Sequence, residues 1–226
     1  MNLLDSVNRL RLRLRQEGLR RVGERVYRKV YDSLAPPWYK VYWLPVGEVP
    51  EPGSDRNIPA GHEAFWRTAV RLTQGVKLQV VHNLDELDSH EAELLKEYVG
   101  ASALPVLRGR FSQGIELHVL SVKDRVVGTV FFVLGRHQPF QHAILTDRDA
   151  MGLDARIAPA LRGRGLYPIL LLLSIIHLRK QGIERVLADC ADWNVESIRS
   201  LECLGFRYLL KYRLVRGAYR YDRKAS

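Results

Sequence analysis

The sequence predicts a mixed α/β domain, an α+β mixed sheet, with a basic helical extension at its N-terminus. Three observations lead there. In the first half, short alternating or β-branched runs bracket turn signals, as antiparallel strands do. The second half reads strand, helix, strand, helix, strand. Between the first of those strands and its helix stands a loop of alternating arginine and glycine, Leu161-Arg162-Gly163-Arg164-Gly165-Leu166.

In chain order, Met1 to Tyr31 reads as one or two amphipathic helices. Leu3, Val7, Leu10 and Leu14 recur at helical spacing, as do Leu19, Val22, Val26 and Val30, with Gly18 as an interruption. Such a stretch suits an anionic membrane surface, a partner, or the protein's own core, and all three stay open. Pro36-Pro37 ends it. Tyr39 to Val46 is an aromatic-rich strand. Glu48 to Pro59 carries Pro50, Pro52, Gly53 and Pro59 and reads as a loop or linker. A short helix over Glu63 to Leu72, a strand over Val76 to Val81 and a helix over Ser89 to Tyr98 follow. Ile115 to Ser121 and Val126 to Leu134 form a hairpin about Lys123-Asp124, and His142 to Leu145 is a further short strand. Leu153 to Ala158 leads into the Arg/Gly loop. Ile169 to Lys180 completes a strongly apolar helix that stops near Gly182. Arg185 to Cys190 is the next strand, reached by a right-handed crossover. Asn194 caps a helix that ends at Leu204-Gly205-Phe206, and Phe206 to Val215 is the last clear strand. The division read from this is an extension plus a strand over 1–50, a linker and short helix over 51–75, and a domain over 76–226.

The Arg/Gly loop has a physical reading of its own. Glycines at 163 and 165 permit positive φ and a close backbone approach to a ligand. The first N–H groups of the helix that follows lack partners within it, and the dipole there favours an anion. Arg162 and Arg164 add charge, and Pro168 fits the first turn because its missing N–H costs nothing there. The loop therefore reads as a pyrophosphate cradle. The blander reading, a tight turn with two solvated arginines, stands beside it.

A second stretch separates these readings. The order Arg-Gly-x-Gly, helix, strand, Asn194-x-x-Ser197, helix, Gly205-Phe206 resembles the GNAT (GCN-five-related N-acetyltransferase) superfamily of acyltransferases. The resemblance spans roughly Val76 to Val215 and is sharp from Ile157 to Phe206. It implies a GNAT acyl-CoA acyltransferase fold whose co-substrate is acetyl-CoA or another acyl-CoA. The pyrophosphate would lie on Leu161, Arg162, Gly163, Arg164, Gly165 and Leu166. The pantetheine arm would pair with Ile157 and Ala158 as an added strand. Asn194 matches the position that often bonds this arm, with Ser197 one turn on. Two positions depart from the pattern. Ala160 stands where Gln or Arg is common. Leu201 stands where many members carry the tyrosine that protonates the departing thiolate.

Composition and charge exclude other classes. The chain is 46% hydrophobic and 27% charged, an ordinary globular balance. The apolar run from Leu166 to Leu178 is shorter than the roughly 20 residues of a membrane span. The start lacks a signal peptide's apolar core, so a cytoplasmic location, with peripheral membrane contact through the N-terminal helix, is the expectation. Cys190 and Cys203 have neither metal-ligand spacing nor a partner framework. The net charge of +10 is concentrated in Met1 to Val30 and Arg207 to Ser226, each +6, leaving the middle at −2. That argues against a nucleic-acid surface on the core.

The weak candidates for base or acid are His118, Asp154, Tyr208 and Tyr212, each with an ordinary structural role as the competing reading. In a regular strand Asp154 and Ile157 would face opposite sides. The catalytic residues stay unassigned, and no metal is expected. The expectation is an acyl-CoA-dependent N-acyltransferase acting on a small amine, such as an amino sugar or amino acid derivative. The alternative is a non-catalytic GNAT-like domain that binds acyl-CoA or a partner. A homodimer is left open.

Overall fold

The computed structural model describes residues 37–50, 75–99, 104–135, 145–215 and 218–222. The expected helices over Met1 to Tyr31 and Glu63 to Leu72, most of the linker, and the strand beginning at His142 lie outside the described residues.

Eight strands form one sheet: β1 (Tyr39–Pro45), β2 (Val76–Val81), β3 (Glu116–Val122), β4 (Arg125–Leu134), β5 (Asp149–Ile157), β6 (Arg185–Ala191), β7 (Arg207–Val215) and β8 (Ala218–Asp222). Among the described residues, four helices accompany them: α1 (Ser89–Val99), α2 (Leu104–Phe111), α3 (Leu166–Lys180) and α4 (Val195–Cys203). The spatial order is β2-β3-β4-β5-β6-β1-β7-β8. Only β5 and β6 pair in parallel; the other neighbours are antiparallel.

The β3–β4 hairpin forms as expected, with Lys123 and Asp124 at φ 47° and 58°. Two successive left-handed residues give the turn whose twist matches antiparallel strands. Three elements differ from the sequence reading. β5 begins at Asp149, four residues before Leu153, because Ala150 and Met151 are fully buried strand residues whose apolar run is broken by Asp149 and Gly152. Helix α2 carries Pro105 in its first turn and Gly109 inside, a composition that argues against a helix. β8 is a short, polar edge strand with little local signature. The strand at Tyr39–Pro45, grouped by sequence with the N-terminal stretch, lies inside the sheet between β6 and β7.

Each face of the sheet carries a core. On one, Ile169, Leu170, Leu172, Ile175 and Leu178 of α3 pack with Leu120, Phe132 and Ile157, joined by Ile198 and Leu201 of α4. On the other, Leu95 of α1 and Leu107 of α2 pack with Val119, Phe131, Val133 and Met151. Helix α3 is apolar nearly all round because it is surrounded, and each fully buried Leu or Ile there contributes about 1.5–3 kcal/mol.

Candidate functional site

The site begins with a fork in the sheet. The parallel pairing of β5 with β6 runs only from Asp149 opposite Arg185 to Gly152 opposite Ala188. Beyond that point β5 continues to Ile157 and β6 to Ala191 without pairing to each other. The cause lies in β5. Its register against β4 skips between Phe131 opposite Leu153 and Thr129 opposite Arg156, and Asp154 at the skip has φ 47°. An extra residue in one strand of a pair is a β-bulge, which bends the strand. The closed end of the fork is clamped: Arg185 donates to both oxygens of Asp149 at 2.8 and 2.7 Å. Burial acts to raise the Asp149 carboxyl, yet hydrogen bonds from Arg185 and the Thr146 amide prevail and hold it below its ordinary value.

At the open end, β5 runs into the Arg/Gly loop. A short 3-10 turn at Pro159–Leu161 comes first. It occupies the amides of Leu161 and Arg162, which donate to the carbonyls of Ala158 and Pro159. The Ala158 amide is also taken, by Val127 of β4 at 2.9 Å. Ladder alternation then turns the backbone groups of Ile157 away from β4, toward the open side. There the Ile157 carbonyl accepts from Arg162 Nε at 3.2 Å.

Gly163 and Gly165 have φ 76° and 73°, and the space a side chain would fill at each is empty to 4 Å. Conformation rather than crowding requires glycine here. Gly165 is the N-cap of α3 and offers no capping side chain. Among the described residues, no hydrogen bond engages the amides of Gly163, Arg164, Gly165, Leu166 or Tyr167. Five donors are thus left without a described partner at the positive end of a helix, a donor set that suits a pyrophosphate. The residues fit the group. The amide set differs from the one read from sequence: it omits Leu161 and Arg162 and extends to Tyr167.

Across the fork, Asn194 lies just past the end of β6. Its side chain accepts the Ser197 amide at 3.3 Å, capping α4. Asn194 thus serves the helix through its oxygen and has its amide donors for other partners.

The side chains at the fork divide by face. Asp189 of β6 accepts from the Tyr212 hydroxyl on the α1–α2 side. Tyr212 also stacks on Tyr39, with ring centroids 5.4 Å apart. Burial, then the Asp189 charge and hydrogen bond, push the Tyr212 hydroxyl far above its ordinary value. On the α3–α4 side, burial and then the neighbouring Asp189 raise the Cys190 thiol to about 12. That excludes a thiolate at neutral pH. Tyr167 reaches the same neighbourhood, with burial first and then Cys190 and Asp189 raising its hydroxyl. Tyr98 of α1 bonds Thr129 near Arg156 and Arg162, and burial lifts it to about 12.

Several sequence candidates stand apart. His118 is fully buried beside Glu116 and His177, and His177 lies near the far end of α3 from the loop. Asp154 is half-exposed and pairs with Arg110 of α2 rather than facing the fork. Tyr208 is 39% exposed on β7, edge-on to Tyr42 and separated from β6 by β1. Leu201 is a sealed core residue. Cys203 is a free, partly buried cysteine. Sequence reasoning missed the bulge at Asp154, for which there is no local signal, and Tyr167, whose signal is a polar-tipped aromatic two residues after the second glycine. Among the described residues, no three metal-ligating side chains gather. No described helix is long and apolar enough to cross a membrane.

Residues 84–206 match the model of the Acetyltransferase (GNAT) family. No curated protein matches the chain. Among solved structures, the GCN5-related glucosamine N-acetyltransferase region of a fungal multi-domain GH3 β-N-acetylglucosaminidase is similar at 15% identity and TM-score 0.54, covering 84% of this chain and 22% of that one. A functionally unknown conserved protein of Staphylococcus epidermidis aligns at 12% identity and TM-score 0.47, covering 77% and 59%. A tandem GNAT protein of the clavulanic acid biosynthesis pathway aligns at 15% and 0.47, covering 82% and 51%. The chain spans from about a fifth to three fifths of these structures. The first of them is a likeness of fold, and the mixed eight-stranded sheet with its flanking helices is consistent with the GNAT fold.

Proposed function

Because the chain belongs to the acetyltransferase (GNAT) family, we propose that it transfers an acyl group, most simply acetyl, from acyl-coenzyme A to a small amine. One observation carries this reading: among the described residues, no hydrogen bond engages the five backbone amides from Gly163 to Tyr167 at the start of α3, beside a fork where β5 beyond Gly152 has no described strand partner on its β6 side. In this reading the amides hold the pyrophosphate, with Arg162 and Arg164 adding charge. The pantetheine arm takes the vacant strand position along β5 through Ile157. Asn194 bonds the arm from the opposite wall, with Ser197 beside it. Holding donor and acceptor in one cleft supplies much of the rate, since well-oriented reactants gain roughly 7–11 kcal/mol over free encounter. Backbone N–H groups on the bent stretch of β5 are candidates to meet the developing oxyanion.

Leu201 favours a second reading. It places a sealed aliphatic where many family members carry an acid. A domain that binds acyl-CoA without transferring the acyl group would tolerate this.

Both readings require acyl-CoA binding. Acetyl-CoA at about one hundred times its dissociation constant should stabilise the wild type by roughly 2.7 kcal/mol, read as a rise in melting temperature. Gly165→Val should abolish the rise, because a β-branched residue disfavours φ near 73° and fills the open space. Asn194→Ala should reduce it by the equivalent of roughly 0.5–1.5 kcal/mol. If neither acetyl-CoA nor longer acyl-CoAs shift the melting of the wild type, both readings fail. Thiol release with an amine panel then separates them: acyl-CoA binding without transfer to any amine leaves the non-catalytic reading.

A further inference from the structure

The bend of β5 rests on a backbone conformation that glycine adopts most easily, yet no glycine stands there. Leu153 pairs with Phe131 and Arg156 with Thr129, so Asp154 and Ala155 stand opposite the single residue Val130 of β4. When the first residue of such a bulge is left-handed it is usually glycine, because a Cβ is disfavoured there. Here it is Asp154, at φ 47°. Aspartate is among the few side chains that tolerate this conformation. What it adds over glycine is a carboxylate, and that carboxylate pairs with the Arg110 guanidinium of α2.

Arg110 is itself held. It lies in the last turn of α2, where a cation suits the helix dipole. Its carbonyl accepts from the Gln113 and Ile115 amides at 3.0 and 3.2 Å, which fixes the backbone where α2 leads into β3. Its guanidinium lies 4.2 Å from the ring centroid of Phe131, the β4 residue that pairs with Leu153. An isolated surface ion pair contributes little. A guanidinium stacked on a ring and only 25% exposed has less freedom to lose in meeting its partner. Arg110 thus spans β4 and β5 at the bulge, two residues beyond Gly152, the last residue of β5 that pairs with β6. It does so from the α1–α2 side, opposite the face on which α3 packs.

We infer that Arg110 is a positioning residue for the transfer proposed above: through Asp154 it fixes the bulge at which β5 leaves β6, and so sets the backbone at the acyl end of the cleft. This inference rests on the acyl-transfer reading. In that reading the arm of acyl-CoA runs from the loop past Ile157 toward Gly152, which brings its acyl end to β5 at the bulge. Arg110 acts through Asp154 rather than on the reacting atoms. The pair ties the geometry of the acyl end to α2, an element that belongs to the opposite face from the pyrophosphate loop and its helix.

The test uses the full chain, thiol release from acetyl-CoA with an amine panel, the acetyl-CoA melting shift, and hydrogen–deuterium exchange across residues 152–157. Arg110→Met keeps an apolar stem on Phe131 and removes the charge. Asp154→Gly suits the left-handed backbone and removes the carboxylate. Each should lower kcat about tenfold, within the roughly 100-fold that misplacing a reacting group can cost. The KM for acetyl-CoA and the melting shift should stay within about twofold of wild type, because the loop amides lie beyond the bulge. The double variant should be no slower than either single one, since the two side chains act as a unit. Asp154→Asn tolerates the same backbone and still accepts from Arg110, so it should recover kcat to within about threefold of wild type. Exchange across residues 152–157 should quicken in Arg110→Met. Wild-type kcat or wild-type exchange in Arg110→Met would overturn the inference alone, as would losses that add in the double variant. A fall in kcat matched by a fall in the melting shift would also overturn it, by assigning the pair a general structural role. Absence of transfer by the wild type with every amine would overturn the inference together with the reading beneath it.

Discussion

The two ends of α3 are built from the same helix and treated in opposite ways. At its C-terminal end the backbone is closed. Gln181, Gly182 and Ile183 return hydrogen bonds to Leu178 and Arg179 at 3.0–3.1 Å, with Gly182 at φ 85°. The Arg179 guanidinium donates to the carbonyls of Val46 and Val49, and the His177 ring meets Gln181 at 2.9 Å. At its N-terminal end, about 22 Å away at 1.5 Å per residue, Gly165 caps without a side chain and five amides have no partner among the described residues. The contrast leaves donors unengaged at the start of α3, where ligand binding is proposed, and shows structural closure at its finish. The fork repeats the pattern, closed by Asp149 and Arg185 at one end and open beyond Gly152 at the other.

The largest expected effect comes from breaking the closed end. Asp149 is 2% exposed and receives hydrogen bonds from Arg185 and the Thr146 amide. Asp149→Ala strands a partly buried guanidinium and an amide, and should cost about 3–5 kcal/mol in urea unfolding. Acetyl-CoA affinity of the folded variant should stay close to wild type, since the five amides lie at the other end. An unchanged urea midpoint would show that the clamp does not hold the fork shut. A large loss of affinity with folding intact would show that the two ends are not independent.

A smaller effect sharpens the comparison through pH. His118 is buried beneath the C-terminal half of α3, and the titratable groups facing it are Glu116, His177 and His82. Burial depresses His118 below its ordinary value, against the pull of Glu116, and His177 is depressed as well. A histidine depressed in the folded state contributes stability that is complete above its unfolded value, about 6.5, and is lost as pH falls below it. The wild type should therefore lose stability between pH 7 and 5, and His118→Gln should flatten that slope. An equal slope in the variant would assign the acid sensitivity elsewhere.

Much of this was legible from local chemistry. The apolar run of α3, the glycine that stops it at 182, the Lys123-Asp124 turn and the Arg/Gly loop each state their conformation within a few residues. The fork was not legible, because it goes with a bulge in the pairing of β5 with β4, and nothing within β5 announces it. The place of β1 between β6 and β7 depends on pairings across more than a hundred residues. Tyr212 shows the same limit at the scale of one side chain. Its position in β7 suggested an available acid, while the Asp189 that accepts its hydrogen bond stands two strands away. Within the loop, glycine spacing marked the turn into α3, but only the 3-10 turn revealed that Leu161 and Arg162 spend their amides internally.

Hydrogen–deuterium exchange with and without acetyl-CoA tests the central contrast most directly, because it reads the amides themselves. Saturating acetyl-CoA should slow exchange in the segment spanning Gly163 to Tyr167 and leave the segment from Leu178 to Arg185 unchanged. No slowing across the loop, or equal slowing at both ends of α3, would contradict the assignment of ligand binding to the open end.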